Sequence, residues 1–486
     1  MVLIDKLKEN EHKNPKKIMF VDNKRSITYE EFYADVKRIA NGLKEHDNKP
    51  IAIYMDKGIN LITTMIGVAL SGNFYTVIDT SMPDERVNLI LDVLKPAAIV
   101  SENKTEYKYQ NVLFSDLMKN DTKFKEKNIV DTNPMYVLFT SGSTGIPKGV
   151  VVSHASVMSY LNWFTTCFKI NKNTIFGNQT PLYFSMSVSD VLGTIYAGST
   201  LYFIPKMYFS FPMTLINYLN DNKINTIYWV PSALSILANL HALDELQLPN
   251  LKQVLFAGET MPTKCLNYWM DHVKAKYANL FGPTETTDIC TYYKVTKKIK
   301  PKESVPIGVS CENCDCKVIV DNRIANVDEV GELYVGGSFL ANGYYNNPDK
   351  TKEIFVQDPL QTAYPSTYYK TGDLVSIDSK GIFHYKARKD FQIKHMGYRI
   401  ELEEIENRLY SIDGIISCVA TYFSDRIILY YEGNIEESEV YNLASKKVPN
   451  YMLPNKIYKI SKMKHNMNGK IDRKYYMSLK GENDEK

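Results

Sequence analysis

The sequence lacks long hydrophobic runs and a strong excess of charge of either sign. No stretch of its 486 residues reaches about eighteen uninterrupted apolar residues, and the first residues show no apolar core followed by a small-residue cleavage site. The 58 basic residues nearly balance the 55 acidic ones. We therefore expect a cytoplasmic protein that binds neither membranes nor nucleic acid.

Cysteines are also scarce. There are 7 in the chain, an odd number with scattered positions, which does not suggest a disulfide framework. Three of them, Cys311, Cys314 and Cys316, fall together in CENCDC. A zinc site would need a fourth soft ligand, and the neighbouring sequence offers none. The segment is therefore predicted to be a turn that enters the strand CKVIV.

The rest of the chain shows the alternating pattern of an α/β protein. From Ile51 onward, short β-branched runs such as IAIY, FYTVID and TIYWVP alternate with stretches of helical period such as Pro83 to Leu94. This pattern predicts mainly parallel sheets covered by helices. From Lys294 to Ile393 the runs are short and separated by Gly, Asn and Pro, which favours antiparallel hairpins or a small distorted β-barrel.

The end of the chain predicts a second domain. A charged helix is expected from Ile400 to Tyr410, followed by the strands IISCVATYF and RIILYYEG and a terminal helix-and-strand segment. We therefore predict an N-terminal domain over residues 1–389 and a small, mobile α+β domain over residues 390–486.

The segment LFTSGSTGIPKGVVVSH, residues 138 to 154, joins two apolar runs through a loop of small residues. Unobstructed backbone N–H groups and several hydroxyls suit a polyanion, and Lys148 adds a positive charge. The spacing does not match the Walker A pattern, since Pro147 precedes the lysine and Gly149 follows it. A phosphate-binding loop outside the ordinary P-loop class is predicted, and a plain flexible loop remains the alternative.

Two other sequence blocks carry residues whose side chains suit a purine nucleotide and its metal ion. In NLFGPTETT, Phe281 could stack on a purine, the amide of Asn279 could read its exocyclic amine, and Glu285 is an oxygen ligand suited to Mg²⁺. In YYKTGDL, Asp373 could accept hydrogen bonds from ribose hydroxyls. A surface acid is the alternative for either carboxylate taken alone.

Taken in order with ITYEEF, GELYVGGSFLANGYYNNPDKT, ARKDFQIKHMGYRIELEEIE and NMNGKID, these blocks closely resemble the adenylate-forming superfamily. It includes acyl-CoA synthetases, luciferases and the adenylation domains of peptide synthetases. The resemblance covers nearly the whole chain. It implies ATP and Mg²⁺ as cofactors, with catalytic roles for Lys470, Glu285 and Thr140 and metal binding by Glu285. It implies nucleotide binding by Thr140, Ser141, Gly142, Ser143, Thr144, Gly145, Lys148, Gly258, Glu259, Asn279, Phe281, Gly282, Thr284, Asp373, Tyr385, Arg388 and Lys470.

The resemblance implies that Lys470 is the principal catalytic residue. The family places its catalytic lysine at this position, where an ammonium stabilises the negative charge that gathers between the substrate carboxylate and the α-phosphate. Asp390 matches the hinge about which the small domain turns, so that Lys470 serves adenylation and then withdraws to admit a thiol.

TSGSTGIPKG and GPTETT are most similar to the amino-acid-activating branch, which includes the free-standing D-alanine–carrier protein ligases. That branch has Asp where this chain has Ser185, and the Asp pairs with the substrate's α-ammonium. A buried ammonium without a carboxylate costs several kcal/mol, on the order of a thousandfold in affinity. The acid pocket is expected to be lined by Phe184, Ser185, Met186, Ser189, Leu255, Ala257, Leu280, Asp288 and Ile289.

Asp288 is the one carboxylate of this predicted pocket. We hypothesise that it binds an amine displaced from the α-carbon, as in a β- or ω-amino acid, or a polar group on another carboxylic acid. An Asp288 that faces solvent is the alternative. Asp190, in the same block as Ser185, is expected to be structural.

The expected reaction has two steps. A carboxylic acid and ATP form an acyl-adenylate and pyrophosphate, and the phosphopantetheine thiol of a carrier protein then displaces AMP. No phosphopantetheine attachment site follows the last motif, so the carrier is expected to be a separate chain. The alternatives are an aryl- or acyl-CoA ligase that uses free coenzyme A, and a degenerate homologue that binds nucleotide without reacting.

Overall fold

The structure is a computed structural model that describes residues 1–142, 145–300, 303–465 and 471–482. The chain divides into two compact units. The first comprises Met1–Asp79, Lys95–Leu138 and Val150–Lys389; the second comprises Thr80–Leu94, Phe139–Gly149 and Asp390–Lys486. The last segment of the second unit thus begins at the residue predicted to be the hinge. Among the described residues, no helix has the length and apolar character needed to span a membrane.

The largest sheet of the first unit has nine strands, and its central strands are parallel. The two edges are antiparallel. In spatial order the strands are Val309–Ser310, Thr291–Val295, Lys276–Phe281, Gln253–Ala257, Thr226–Trp229, Ile175–Asn178, Thr200–Phe203, Ile18–Val21 and Ser26–Thr28.

A second sheet has seven strands, most of them paired in parallel. Its order is Gly343–Tyr344, Lys148–Ser153, Pro134–Thr140, Phe74–Ile78, Pro50–Tyr54, Ala98–Ser101 and Asn111–Leu113. The predicted α/β class with mainly parallel sheets is confirmed by these two sheets.

The region predicted to form hairpins or a small barrel is a six-stranded antiparallel sheet. Its strands are Arg323–Ile324, Cys314–Val320, Gly331–Gly337, Thr367–Ile377, Phe355–Gln357 and Phe383–Arg388. The predicted strand CKVIV lies within the second of these. Cys314 and Cys316 lie on the same face of this strand, as expected for residues two apart, and their sulfur atoms approach to 3.3 Å.

The helices of the first unit cover its sheets. The helix Ile59–Leu70 is mostly apolar and almost entirely buried, while Tyr29–Gly42 begins with a capping box between Thr28 and Glu31. One large apolar core joins the sheets and helices of this unit. The remaining helices are Leu3–Lys13, Phe114–Leu117, His154–Cys167, Gly193–Ala197, Pro212–Asp221, Pro231–Asn239, Thr263–His272 and Pro348–Ile354, with short turns at Val188–Leu192, Lys206–Ser210 and Thr284–Thr286.

The second unit is α+β. Its strands are Gln392–His395 with Tyr398–Glu401, and Ile415–Phe423, Arg426–Gly433 and Lys456–Lys459. Its helices are Asp84–Leu94, Leu402–Leu409, Glu437–Ala444 and Arg473–Ser478, with a short turn at Asn450–Met452. The helix predicted from Ile400 to Tyr410 begins later, because Ile400 and Glu401 pair with Ile393 and Gln392 in a two-stranded ribbon.

Candidate active site

The glycine-rich loop leaves the seven-stranded sheet at Thr140 and, through Gly149, belongs to the second unit. Gly142 is required by packing, since a Cβ there would meet the carbonyl oxygen of Ile146 at 2.2 Å. Gly145 has a positive φ of 79°, and its N–H donates to the Gly142 carbonyl at 2.9 Å. Ser143 and Thr144, two of the predicted nucleotide-binding residues, lie outside the described residues.

The loop binds anionic oxygens from its own unit. The N–H of Gly142 donates to Glu404 Oε2 at 3.1 Å, and the Lys148 ammonium lies 3.4 Å from Glu401 Oε1. The hydroxyl of Ser141 donates to the carbonyl of Arg399 at 2.8 Å. Two of the predicted phosphate-binding groups therefore hold carboxylate oxygens, which have the charge and acceptor character of phosphate oxygens.

Glu404 also forms an ion pair with Arg86. Its carboxylate is almost completely buried, and burial raises its pKa above the usual value while Arg86 opposes the shift. Neither Glu401 nor Glu404 was assigned to the loop from the sequence. The high density of acids in ELEEIE is the signal that could have suggested such a contact.

The predicted adenine and ribose residues come together within the first unit. Phe281 ends the strand Lys276–Phe281, and its ring lies 5.9 Å from that of Tyr385, centroid to centroid. Asp373 is buried and accepts a hydrogen bond from Arg388 at 3.0 Å, because the two residues are paired across adjacent strands. The Asn279 amide donates to the carbonyl of Pro306 at 2.8 Å.

The turn after Phe281 depends on close backbone approach. A Cβ at Gly282 would meet the Asp288 carbonyl oxygen at 2.4 Å, so only glycine fits. Thr284 and Glu285 follow in a short 3-10 turn. Gly258, after the neighbouring strand, has a positive φ of 93°, and Glu259 accepts a hydrogen bond from the N–H of Ser232.

Glu285 is fully buried. The hydroxyl of Tyr344 donates to Glu285 Oε1 at 2.7 Å. A buried carboxylate that is oriented by a neutral hydroxyl has the donor chemistry that Mg²⁺ prefers. The residues present therefore fit the predicted metal ligand.

Asp288 is buried as well, so it does not face solvent. Its Oδ2 accepts hydrogen bonds from Ser189 at 2.5 Å, Tyr160 at 3.0 Å and Tyr228 at 3.1 Å. Burial raises the pKa of Asp288 to about 6, while these hydroxyls and that of Ser185 oppose the shift. The carboxylate therefore lies beside Ser185, the position where the resembling branch has its amine-binding Asp.

The remaining predicted pocket residues surround the same region. Leu255 and Ala257 end one parallel strand, and Ala257 is in register with Leu280 on the next. Parallel strands bring such residues to one edge of the sheet, at their carboxyl ends. Met186, Leu255, Ala257, Leu280 and Ile289 are buried, whereas Phe184 and Ser185 are half-buried.

Asp190 lies in the short turn Val188–Leu192 and is also fully buried. It accepts a hydrogen bond from the Asn178 amide at 2.7 Å, and Lys57 is a charged neighbour. Burial raises the pKa of Asp190 above its usual value, while the Asn178 amide and Lys57 oppose the shift. These contacts agree with its expected structural role.

Tyr160 and Tyr228 were not found from the sequence. They lie 128 and 60 residues from Asp288 along the chain, and an isolated tyrosine in a helix or strand carries no functional signal. Lys470 lies outside the described residues, so the structure gives no geometry for the predicted catalytic lysine.

Comparison with known proteins defines the class of enzyme. Residues 7–345 match the family model described as AMP-binding enzyme. The chain is 30% identical to zwittermicin A synthase ZmaJ from Bacillus cereus, over 95% of this chain and 92% of that protein. It is also 30% identical to a D-alanine–D-alanyl carrier protein ligase from Bacillus cytotoxicus, over 98% and 99% of the two chains.

Solved structures show the same fold. An artificially fused adenylation–PCP di-domain, NpsA-ThdA from Klebsiella oxytoca, has a TM-score of 0.85 at 19% identity, over 94% of this chain and 93% of that one. The o-succinylbenzoate CoA synthetase of Bacillus subtilis has a TM-score of 0.86 at 19% identity, over 98% and 99%.

The chain belongs to the AMP-binding enzyme family. Within that family it is an AMP-forming ligase that uses ATP. The sequence-based prediction of the superfamily is thereby confirmed.

Proposed function

We propose that this ligase adenylates a small carboxylic acid, releases pyrophosphate, and transfers the acyl group to the phosphopantetheine thiol of a separate carrier protein. The full-length match to a D-alanine–D-alanyl carrier protein ligase carries this proposal. The loop supports it, because Gly142 and Lys148 hold anionic oxygens from the second unit. We also propose a cytoplasmic location, as predicted from the sequence.

In the first step, an oxygen of the acid attacks the α-phosphorus of ATP and pyrophosphate leaves. The loop N–H groups and Lys148 bind phosphate oxygens, while Asp373 holds the ribose and Phe281 stacks on the adenine. Lys470 stabilises the charge between the carboxylate and the α-phosphate. Mg²⁺, held by Glu285, would neutralise phosphate charge.

In the second step, the thiol sulfur attacks the acyl carbonyl carbon, the thiol proton is lost, and AMP leaves with the electron pair of the acyl–phosphate bond. Lys470 is proposed to act in the first step and then to withdraw so that the thiol can reach the acyl carbon, which is why Asp390 is proposed as the hinge.

ATP–pyrophosphate exchange across α-, β- and ω-amino acids, hydroxy acids and aryl acids tests this function. With the preferred acid, Lys470→Ala is expected to lower the exchange rate by about a hundredfold or more, because the loss removes transition-state stabilisation. The exposed Lys474→Ala is a matched control and should keep the parental rate. Full exchange activity in Lys470→Ala would refute the mechanism.

The second step is tested with the preformed acyl-adenylate. Loading of a phosphopantetheinylated carrier that exceeds acylation of free coenzyme A supports the proposed acceptor. The reverse result would establish a CoA ligase, and absence of exchange with every acid would establish a degenerate homologue.

For the acid, we propose one with an amine displaced from the α-carbon, such as a β-amino acid. Ser185 stands at the position where that branch has the Asp that binds the α-ammonium. The neighbouring buried carboxylate is that of Asp288. Three hydroxyls converge on one oxygen of Asp288 and fix its orientation. A carboxylate so placed can bind an ammonium slightly away from the usual position.

Asp288→Asn tests this choice of acid. The substitution keeps the size of the side chain and removes its charge, so the KM of the preferred amino acid should rise by about tenfold to a hundredfold. The exchange rates with hydroxy acids should change little. Unchanged selection among the acids would eliminate Asp288 as the amine partner.

A further inference from the structure

Tyr344 belongs to the segment ANGYY, which the sequence does not assign to the reaction, yet its hydroxyl contacts a proposed catalytic group. The O–H of Tyr344 donates to Glu285 Oε1 at 2.7 Å. Both side chains are buried, and the exposed fraction of Tyr344 is 6%. A hydrogen bond to a carboxylate in such surroundings is stronger than one between neutral groups.

The segment that carries Tyr344 also holds the backbone around Glu285. The N–H of Ala341 donates to the Glu285 carbonyl at 2.9 Å. The hydroxyl of Thr287 donates to the carbonyl of Phe339 at 2.6 Å. Thr287 has φ 65° and ψ −53°, an uncommon conformation for a β-branched residue that surrounding contacts must maintain.

Tyr344 is itself fixed in place. Its N–H donates to the hydroxyl of Thr351 at 2.9 Å, and its backbone pairs with Val150 in the seven-stranded sheet. Its ring packs against Phe355, with centroids 5.8 Å apart. A tyrosine held at backbone and ring can impose an orientation on the carboxylate it contacts.

We propose that Tyr344 is a positioning residue that fixes the Glu285 carboxylate in the orientation that binds the magnesium ion of the bound nucleotide. The inference rests on the proposed role of Glu285. Without the tyrosine hydroxyl, the carboxylate gains rotational freedom, and that freedom is lost again when the metal binds. Outer hydrogen bonds to metal ligands commonly contribute about tenfold to a hundredfold in metal affinity.

Tyr344→Phe removes only the hydroxyl and keeps the packed ring. Binding of Mn²⁺ to the enzyme with a non-hydrolysable ATP analogue, followed by electron paramagnetic resonance, reports metal affinity without any turnover. We expect that affinity to fall by about tenfold in Tyr344→Phe. The Mg²⁺ concentration for half-maximal pyrophosphate exchange should rise in parallel, while the rate at saturating Mg²⁺ stays within about threefold of the parent.

Tyr277→Phe is the matched control. This tyrosine is also buried, and its hydroxyl donates to the carbonyls of Trp269 and Val273. The control loses a comparable buried hydrogen bond that does not touch Glu285, so its metal affinity should equal that of the parent. Thr351→Val supplies a second test, since it removes the acceptor of the Tyr344 N–H and should weaken metal binding in the same direction.

Glu285→Gln distinguishes an error in the metal role proposed for Glu285 from an error in the positioning role proposed for Tyr344. If Glu285→Gln leaves Mn²⁺ affinity unchanged, the metal role of Glu285 is wrong and the positioning role falls with it. If Glu285→Gln weakens metal binding but Tyr344→Phe and Thr351→Val do not, Tyr344 is not a positioning residue, and the proposed function stands.

Discussion

At the scale of single residues, Asp288 shows how burial changes a carboxyl group. Its pKa is raised to about 6, with burial as the largest cause. The hydroxyls of Ser189, Tyr160 and Tyr228 stabilise the charged form but do not cancel the cost of burial. A bound ammonium would supply the missing charge partner and would favour the ionised carboxylate further.

The raised pKa of Asp288 predicts a pH-dependent KM. Below about pH 6 the carboxyl group is protonated and loses its attraction for an ammonium, so the KM of the amino acid should rise by up to about tenfold per pH unit. Above that pH the KM should be level. Pyrophosphate exchange measured from pH 5 to 8 checks this, and Asp288→Asn should give no such rise. An equal rise in both enzymes would assign the titration to another group.

Short motifs predict site residues from the sequence alone, and the roles of Gly142, Phe281 and Asp373 stay predictions. Gly142 follows the strand that ends at Thr140 and Phe281 ends its own strand, whereas Asp373 lies inside the strand Thr367–Ile377. The sequence does not predict Tyr160 or Tyr344, because each contacts its carboxylate across a large gap in the sequence, 128 residues for Tyr160 and 59 for Tyr344. Such partners follow from tertiary packing and leave no local pattern.

At the scale of elements, the short helix Arg473–Ser478 is anchored by its first residue. The Arg473 guanidinium forms two hydrogen bonds with the Glu406 carboxylate, at 2.6 and 2.7 Å, and donates to the carbonyl of Ala420 at 2.8 Å. Burial raises the pKa of Glu406, and Arg473 opposes the shift. The pair therefore fixes the helix that follows Lys470 along the chain.

Removing one member of this pair should destabilise the protein. Arg473→Met leaves the buried Glu406 charge without its partner, so the free energy of unfolding should fall by roughly 3–5 kcal/mol. The double variant Glu406→Leu with Arg473→Met should recover a large part of that loss. Denaturant unfolding of the three proteins checks the prediction, and equal stability of the single and double variants would contradict it.

Element boundaries show the limit of sequence patterns. The run from Ile400 to Tyr410 has the acidic first turn and apolar period of a helix, but its first two residues pair as a strand. Backbone pairing with Gln392 and Ile393 outweighs the local helical preference. The strands IISCVATYF and RIILYYEG are confirmed because their long β-branched runs leave little alternative.

At the scale of the whole molecule, the class of fold followed from the alternation of strands and helices. The division into two units did not follow from the sequence. Thr80–Leu94 and Phe139–Gly149 belong to the same unit as the segment that begins at Asp390. Contacts such as Arg86 with Glu404, 318 residues apart, produce that grouping. The domain boundary and hinge at Asp390 stay predictions.

Restriction of the chain at position 390 should separate the two half-reactions. Asp390→Pro fixes φ near −65°, so one of the two steps should fall by about tenfold or more while the other stays within about threefold. Asp390→Ala should retain both. Pyrophosphate exchange measures the first step and carrier loading from preformed acyl-adenylate measures the second. An equal loss in both would argue against a hinge at this residue.

The close approach at Gly282 connects the backbone of two proposed acid-pocket residues, Asp288 and Ile289, with that of Phe281, which is proposed to contact the adenine. An added Cβ would meet the backbone of Asp288 and Ile289, and the N–H of Cys290 donates to the carbonyl of Phe281 at 2.8 Å. Random substitution at positions 288 and 289, made to change the acid that the ligase accepts, should therefore also lower ATP affinity whenever a new side chain shifts the main chain. Libraries that keep Gly282 and favour small replacements should give the most active clones.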